Sequence, residues 1–250
     1  MPAEPRFFVA PDGVRLAWHE AGEGRPVVLL HGLFSSSWMN WIKFGHAAAI
    51  ASRGFRVIMP DLRAHGDSDK PHEAAAYPPD VLARDAEALI AHLGLTDFDL
   101  GGYSLGGRTA VRMMIGGVRP RRAIVSGMGL EGLLDTGTRA AHFRRILEGL
   151  GSWPKGSPEW TVEAFLKTTK GDGTAMAALL GSFVDSTRAE IATIAADTLV
   201  LQGDADDDNG SGEALADLLP HAVYREVPGG HMSCVTKPEL GHAIADFLSH

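Results

Sequence analysis

The stretch Asp97–Ile115, DFDLGGYSLGGRTAVRMMI, changes character at one residue. Before Ser104 lies a short apolar run of the kind that forms a strand buried on both faces. After it, apolar residues recur at helical spacing. Gly101, Gly102, Gly106 and Gly107 crowd the junction. A strand that turns directly into a helix leaves little room at the crossing, and the turning residue is forced into a strained backbone conformation. The G-x-S-x-G spacing is a weak signal alone in a chain with 30 glycines, but between a strand and a helix it reads as a nucleophile elbow. Such a turn lifts the Ser104 hydroxyl to the carboxyl edge of a sheet. It also points the Leu105 amide, at a helix N-terminus, into the same space.

Working outward, Arg6–Val9 and Val14–Glu20 flank a Pro-Asp-Gly turn and predict a β-hairpin. Buried-strand runs follow at Pro26–Gly32, Phe55–Asp61, Arg121–Gly127, Asp197–Asp204 and Ala222–Gly230. Helical patterns alternate with them at Trp38–Ser52, Pro79–Gly94, Glu213–Leu219 and Pro238–Leu248. Alternation of this kind implies an α/β fold, a parallel sheet covered on both sides. From Leu130 to Ile194 the alternation stops. Amphipathic helical patterns at Thr138–Leu150, Thr161–Lys167 and Ala175–Phe183 predict a small helical insertion, because a plain loop of that length does not fit a compact domain.

A serine hydroxyl needs a general base, and the elbow predicts the chain order serine, acid, histidine, each after a later strand. His231, in PGGHMS, sits on the glycine-rich loop leaving the last strand, the only one of 11 histidines so placed. His46, His92, His142, His221, His242 and His250 fall on helices or turns and suit surface roles. The acid comes from the preceding loop, where Asp204, Asp206, Asp207 and Asp208 all qualify. That loop begins like a calcium loop at Asp207, yet its twelfth position is Leu218 rather than a bidentate glutamate, so no metal is expected. The turn after LLHG offers the Leu33 amide as a second oxyanion donor, with His31 as a turn-stabilising hydrogen-bonder.

Composition excludes other classes. A net charge of −8, with charges dispersed, argues against nucleic acid or an anionic membrane as partner. No apolar run approaches the ~18 residues of a membrane span. The start, MPAEPRFFVAPDGV, lacks a basic region followed by an apolar stretch, and the single Cys234 excludes an internal disulfide. The expectation is a cytoplasmic protein acting on a small molecule, without a cofactor. A monomer and a small homo-oligomer are equally compatible with the sequence.

HGLFSS, DLRAHGDSDKP, GGYSLGG, LQGDADD and PGGHMS together resemble the motifs of the α/β-hydrolase fold superfamily, along nearly the whole chain outside Leu130–Ile194. The resemblance implies a mostly parallel, doubly wound sheet of about eight strands. Residues 1–129 and 195–250 would form the core, and 130–194 a helical cap inserted after the sixth strand. The family's G-x-x-D pattern falls on Gly203 and Asp206 and selects Asp206 as the acid. Where the family usually has glycine in the D-x-R-G-H-G-x-S turn, this chain has Ala64. Haloalkane dehalogenases and epoxide hydrolases of this fold carry aspartate at the elbow, which Ser104 argues against, and HGLF is unlike the HGGG loop of lipases. The implied activity is that of a serine esterase or lactonase with catalytic Ser104, Asp206 and His231, and oxyanion donors Leu33 and Leu105. Phe34, Met128, Trp153 and Trp160, with Phe165 and Phe183, are the candidates to line an apolar substrate cavity. A carbon–carbon bond hydrolase, a perhydrolase relative, and a receptor that keeps the triad with little turnover are the alternatives.

Overall fold

The computed structural model describes residues 4–250. Met1–Ala3, which head the N-terminal stretch read above, lie outside the described residues. Eight strands form one sheet in the order β1-β2-β4-β3-β5-β6-β7-β8. β1 (Arg6–Val9) and β2 (Arg15–Ala21) form an antiparallel hairpin, and β2 joins the rest of the sheet by pairing antiparallel with β4. The others, β3 (Arg25–Leu30), β4 (Phe55–Pro60), β5 (Asp99–Tyr103), β6 (Arg122–Ser126), β7 (Asp197–Gly203) and β8 (Ala222–Val227), run parallel.

Alternate residues of the parallel strands feed two separate cores, as the strand's period of two requires. Val28, Leu30, Leu100 and Val125 face α2 (Val81–His92) and α3 (Leu105–Ile115), where Leu89 and Met113 meet them. Val27, Leu29, Ile124 and Leu201 face α1 (His46–Ala51) and the last helix, Pro238–Ser249, which contribute Ile50 and Ile244. Because both faces are covered, these strands read as unbroken apolar runs.

Two helices begin later than their periodicity suggests. The pattern over Trp38–Ser52 is cut at Gly45, which takes φ 84°; a π turn over Trp38–Ile42 precedes it and α1 follows. Asp80 adopts φ 57° and holds Arg112 through a 2.6 Å ion pair, so α2 starts at Val81 rather than Pro79.

Between β6 and β7 the described residues form only helices and turns: α4 (Leu130–Leu134), α5 (Thr136–Glu148), α6 (Pro158–Thr168), α7 (Gly173–Leu179) and α8 (Arg188–Ile191). Ser157 caps α6, with Pro158 in its first turn, and Asp172 caps α7 by accepting from Thr174 and Ala175. The root of this block is clipped to the loop after β7. Leu130 N–H donates to Ser211 O and Gly132 N–H to Asn209 O, both at 3.0 Å, while Ser211 N–H donates to Glu131 Oε2 at 2.8 Å. The chain then completes the sheet through α9 (Gly212–Leu218), β8 and α10 (Pro238–Ser249).

Candidate active site

Ser104 sits between β5 and α3 with φ 55° and ψ −114°, the strained turn expected of an elbow. The glycines around it are steric necessities. A Cβ on Gly106 would lie 2.1 Å from Leu30 O, and one on Gly102 would lie 2.3 Å from Gly106 C. The turn is held by Ser104 N–H donating to Ser126 O at 2.7 Å.

His231, on the loop after β8, brings Nε2 to 3.0 Å from Ser104 Oγ and Nδ1 to 2.9 Å from Asp206 Oδ2. Burial separates the four loop aspartates. Asp206 is buried while Asp204, Asp207 and Asp208 are exposed. Asp206 N–H donates to Gly203 O at 3.0 Å, and its Oδ1 accepts from Asp208 N–H at 3.2 Å. Gln202, behind the loop, donates through Nε2 to Asp206 O and accepts Gly212 N–H at 2.7 Å. Asp204 does other work, accepting Gly229 N–H at 2.7 Å and so bracing the loop that carries His231. Tyr103 braces it from beneath: its hydroxyl donates to His231 O, and its ring lies 5.3 Å from the imidazole.

The turn after β3 faces the same serine; a Cβ on Gly32 would stand 3.5 Å from Ser104 Cβ. Leu105 N–H opens α3 and has no intrahelical acceptor, and Leu33 N–H donates to no group among the described residues. Two buried imidazoles fix this turn. His65 Nε2 accepts Phe34 N–H at 3.1 Å, its Nδ1–H donates to Arg63 O, and burial holds its pKa down at about 3. His31 Nε2 accepts Leu62 N–H at 3.0 Å and is likewise lowered by burial. Asp61 anchors both segments, accepting Ser37 N–H and hydroxyl at 2.8 and 2.6 Å and Asp67 N–H at 2.9 Å. Ala64, in the family's glycine position, is fully buried at φ 70°, so the turn keeps its left-handed shape at a steric cost. His19, Asp61 and Asp67 are the one trio among the described residues placed to hold a cation. Asp61 there is already engaged by three donors, which makes the trio a structural knot of this turn.

Above Ser104 opens a cavity of about 430 Å³ with a mostly apolar wall. Phe34 and Met128 from the core line it, and α5 and α6 contribute Phe143, Val162 and Phe165. Trp153 and Trp160 are not on this wall, contrary to the expectation from sequence. Trp153 packs within the helical block, donating from Nε1 to Ile146 O at 3.0 Å beneath Arg145. The half-buried Trp160, in the first turn of α6, precedes Thr161 and Val162, which do reach the cavity. His46 is also misplaced by the sequence. It is fully buried, with Nε2 2.7 Å from Val235 O. Arg108, Arg139 and Phe143 border the cavity with no motif to announce them; only the step of four residues from Ser104 to Arg108 pointed there.

No helix of the described residues is long and apolar enough to cross a membrane. A profile described as the alpha/beta hydrolase fold matches residues 25–116. The chain is similar to the AB hydrolase superfamily protein YisY of Bacillus subtilis, 40% identical over 110 residues, 43% of this chain and 38% of that one. It is 35% identical over 125 residues to a non-heme haloperoxidase of Rhodococcus erythropolis, 48% of this chain and 43% of the relative. These matches therefore span about two fifths of the relatives' own length. A thermophilic esterase from Thermogutta terrifontis, solved with malate bound, superposes with a TM-score of 0.80 over 98% of both chains at 25% identity. Sheet order, matched profile and whole-chain superposition agree: the chain has the α/β-hydrolase fold.

Proposed function

We propose that the protein is a serine hydrolase that cleaves an ester or lactone of small to medium size with a largely apolar body. The observation that carries this is the continuous relay from Asp206 Oδ2 through His231 to Ser104 Oγ, at 2.9 and 3.0 Å, on the floor of an apolar cavity.

In the first half-reaction His231 Nε2 takes the Ser104 proton as Oγ attacks the substrate carbonyl carbon. Asp206 holds the Nδ1–H tautomer and stabilises the imidazolium. Charge develops on the carbonyl oxygen, where the Leu33 and Leu105 amides are preorganised; one such donor is worth roughly 10²- to 10³-fold in rate. Collapse breaks the bond to the leaving alkoxide, which takes the proton from His231, and an acyl group remains on Ser104. Water, deprotonated by His231, attacks that acyl carbon and frees the acid.

Ser104→Ala is expected to lower kcat on p-nitrophenyl esters by roughly 10⁴-fold or more, leaving only binding and oxyanion-hole catalysis. Near-wild-type turnover in that variant would remove the assignment. The same assay run on diketones, and on carboxylic acids with hydrogen peroxide, separates the ester reading from its nearest rivals. The likeness to a haloperoxidase is the reason to include the peroxide arm. Fluorophosphonate labelling of Ser104 without turnover on any of these would mark a receptor.

A further inference from the structure

Arg108 lies one helical turn beyond Ser104, and its N–H donates to Ser104 O at 2.9 Å. It is only 6% exposed, yet it borders the same cavity as the serine. A guanidinium carries five N–H donors. Among the described residues Arg108 uses one group, Nη2, which donates to Val184 O at 2.8 Å. Its Nε is buried without an acceptor, and the Phe183 ring covers the guanidinium face at 4.6 Å. Among the described residues it has no ion-pair partner. The nearby acids are engaged elsewhere: Asp80 grips Arg112, and Asp185 accepts the Thr136 N–H and hydroxyl at 2.8 and 2.6 Å. Burial holds the Arg108 pKa down at about 10, so the group is desolvated but still charged at neutral pH. The other cation on the cavity, Arg139, differs: it donates to Asp208 O and has that residue's carboxylate 3.8 Å away. One cavity arginine has a carboxylate within ion-pair distance, and the other feels only the more distant fields of Asp80 and Asp185.

An unpaired buried ion costs several kcal/mol after relaxation, and an unsatisfied donor adds to that. Merely tying Val184 to α3 would need only a neutral donor. A carboxylate brought to the cavity side of the guanidinium would supply the counter-charge that the fold leaves out.

We propose that Arg108 is the carboxylate-binding subsite of the cavity, so that the substrate is an ester or lactone whose acyl part ends in a free carboxylate. This rests on the hydrolase reading above and names its substrate class. The scissile carbonyl lies at Ser104, an apolar chain crosses the cavity, and the far carboxylate meets the guanidinium. One turn of helix is ~5.4 Å and side chains lean toward the helix N-terminus, which suits short dicarboxylic half-esters of roughly four to six carbons.

The test measures kcat/KM for mono-p-nitrophenyl succinate, glutarate and adipate against p-nitrophenyl butyrate, valerate and hexanoate, matched in length. The wild type should favour at least one carboxylated ester over its partner tenfold or more. Arg108→Gln should lower that ratio at least tenfold, and Arg108→Lys should restore part of it. Arg112→Gln, which removes the neighbouring ion-paired arginine on the same helix, should leave the ratio unchanged. A wild type without preference, or an Arg108→Gln ratio equal to wild type, overturns the subsite, while continued turnover of the uncharged esters leaves the hydrolase standing. Calorimetric titration of Ser104→Ala protein with glutarate and adipate removes the dependence on turnover. Binding that disappears in the Ser104→Ala/Arg108→Gln double variant supports the subsite even if no ester is cleaved. Absence of binding to the Ser104→Ala protein overturns it even if Arg108 variants fail to fold.

Discussion

The carboxyl edge of the sheet and the helical block above it keep their ion pairs in different surroundings. At the edge, His31, His65, Ser37, Asp61 and Asp206 are buried, and each has named hydrogen-bond partners. In the block, the Arg145–Glu159 and Lys167–Glu163 pairs each place a charged head in solvent, where such pairs contribute little. The edge is over-determined, because Asp61 alone is held by three donors and Asp206 by the His231 ring and the Asp208 N–H. The block supplies cavity wall through a few side chains of α5 and α6. On the proposed function, the edge would carry the chemistry and the block would shape the substrate.

The sharpest way to break this contrast is within the acid loop. Asp206→Asn should cost roughly 10⁴ in kcat, because the wrong imidazole tautomer would then face Ser104. Asp207→Asn, on an exposed side chain, should change kcat by less than about threefold. Asp204→Asn should fall between them, since it weakens the brace on the His231 loop without touching the relay. The reverse ranking in steady-state kinetics would move the acid to another residue.

Next in size is a pH effect on stability that belongs to the edge. His65 titrates near 3 in the folded state against 6.5 for an ordinary histidine. Between those values the unfolded chain binds a proton that the folded chain refuses, so stability is whole above pH 6.5 and falls as pH drops. Between pH 7 and pH 5 the loss from His65 alone is about 2 kcal/mol. His31 and His46, also lowered by burial, push in the same direction. Asp61 is depressed as a carboxylate, and its contribution is lost only below about pH 4. Urea unfolding midpoints that stay level from pH 7 to pH 5 would contradict the neutral buried imidazoles.

Smallest is the change in the block. Trp153→Ala removes a half-buried ring and its bond to Ile146 O, and should cost about 1–2 kcal/mol in unfolding free energy. KM for an ester substrate should move less than about twofold, since Trp153 is absent from the cavity wall. A large KM change with unaltered stability would show that the block is as constrained as the edge.

What the sequence disclosed follows the same division. Gly102 and Gly106 announce the elbow because a close backbone approach excludes every other residue, and that requirement is local. His231 is legible from chain order. Asp206 is not separable from Asp204, Asp207 and Asp208 by chemistry alone; the family pattern was needed, and burial is the physical distinction. In the block, helical spacing reveals an apolar stripe but not what the stripe faces, so Trp153 and Trp160 looked as eligible as Phe165 and Phe183. Arg108 was invisible for another reason. Nothing in a one-dimensional pattern shows that a charged residue will be desolvated by a segment, Phe183–Val184, that arrives from far along the chain.

The clip between Leu130–Gly132 and Asn209–Ser211 has a consequence for modular exchange. The insertion is hinged directly onto the three residues that follow Asp206–Asp208. A chimaera that transplants a foreign helical block between Gly129 and Ala195 would replace Glu131 and the residues that donate at that seam, and would loosen the loop that carries Asp206. Successful grafts must carry the 209–211 segment along with the block, so the transferable unit is discontinuous in sequence although it is a single patch in space.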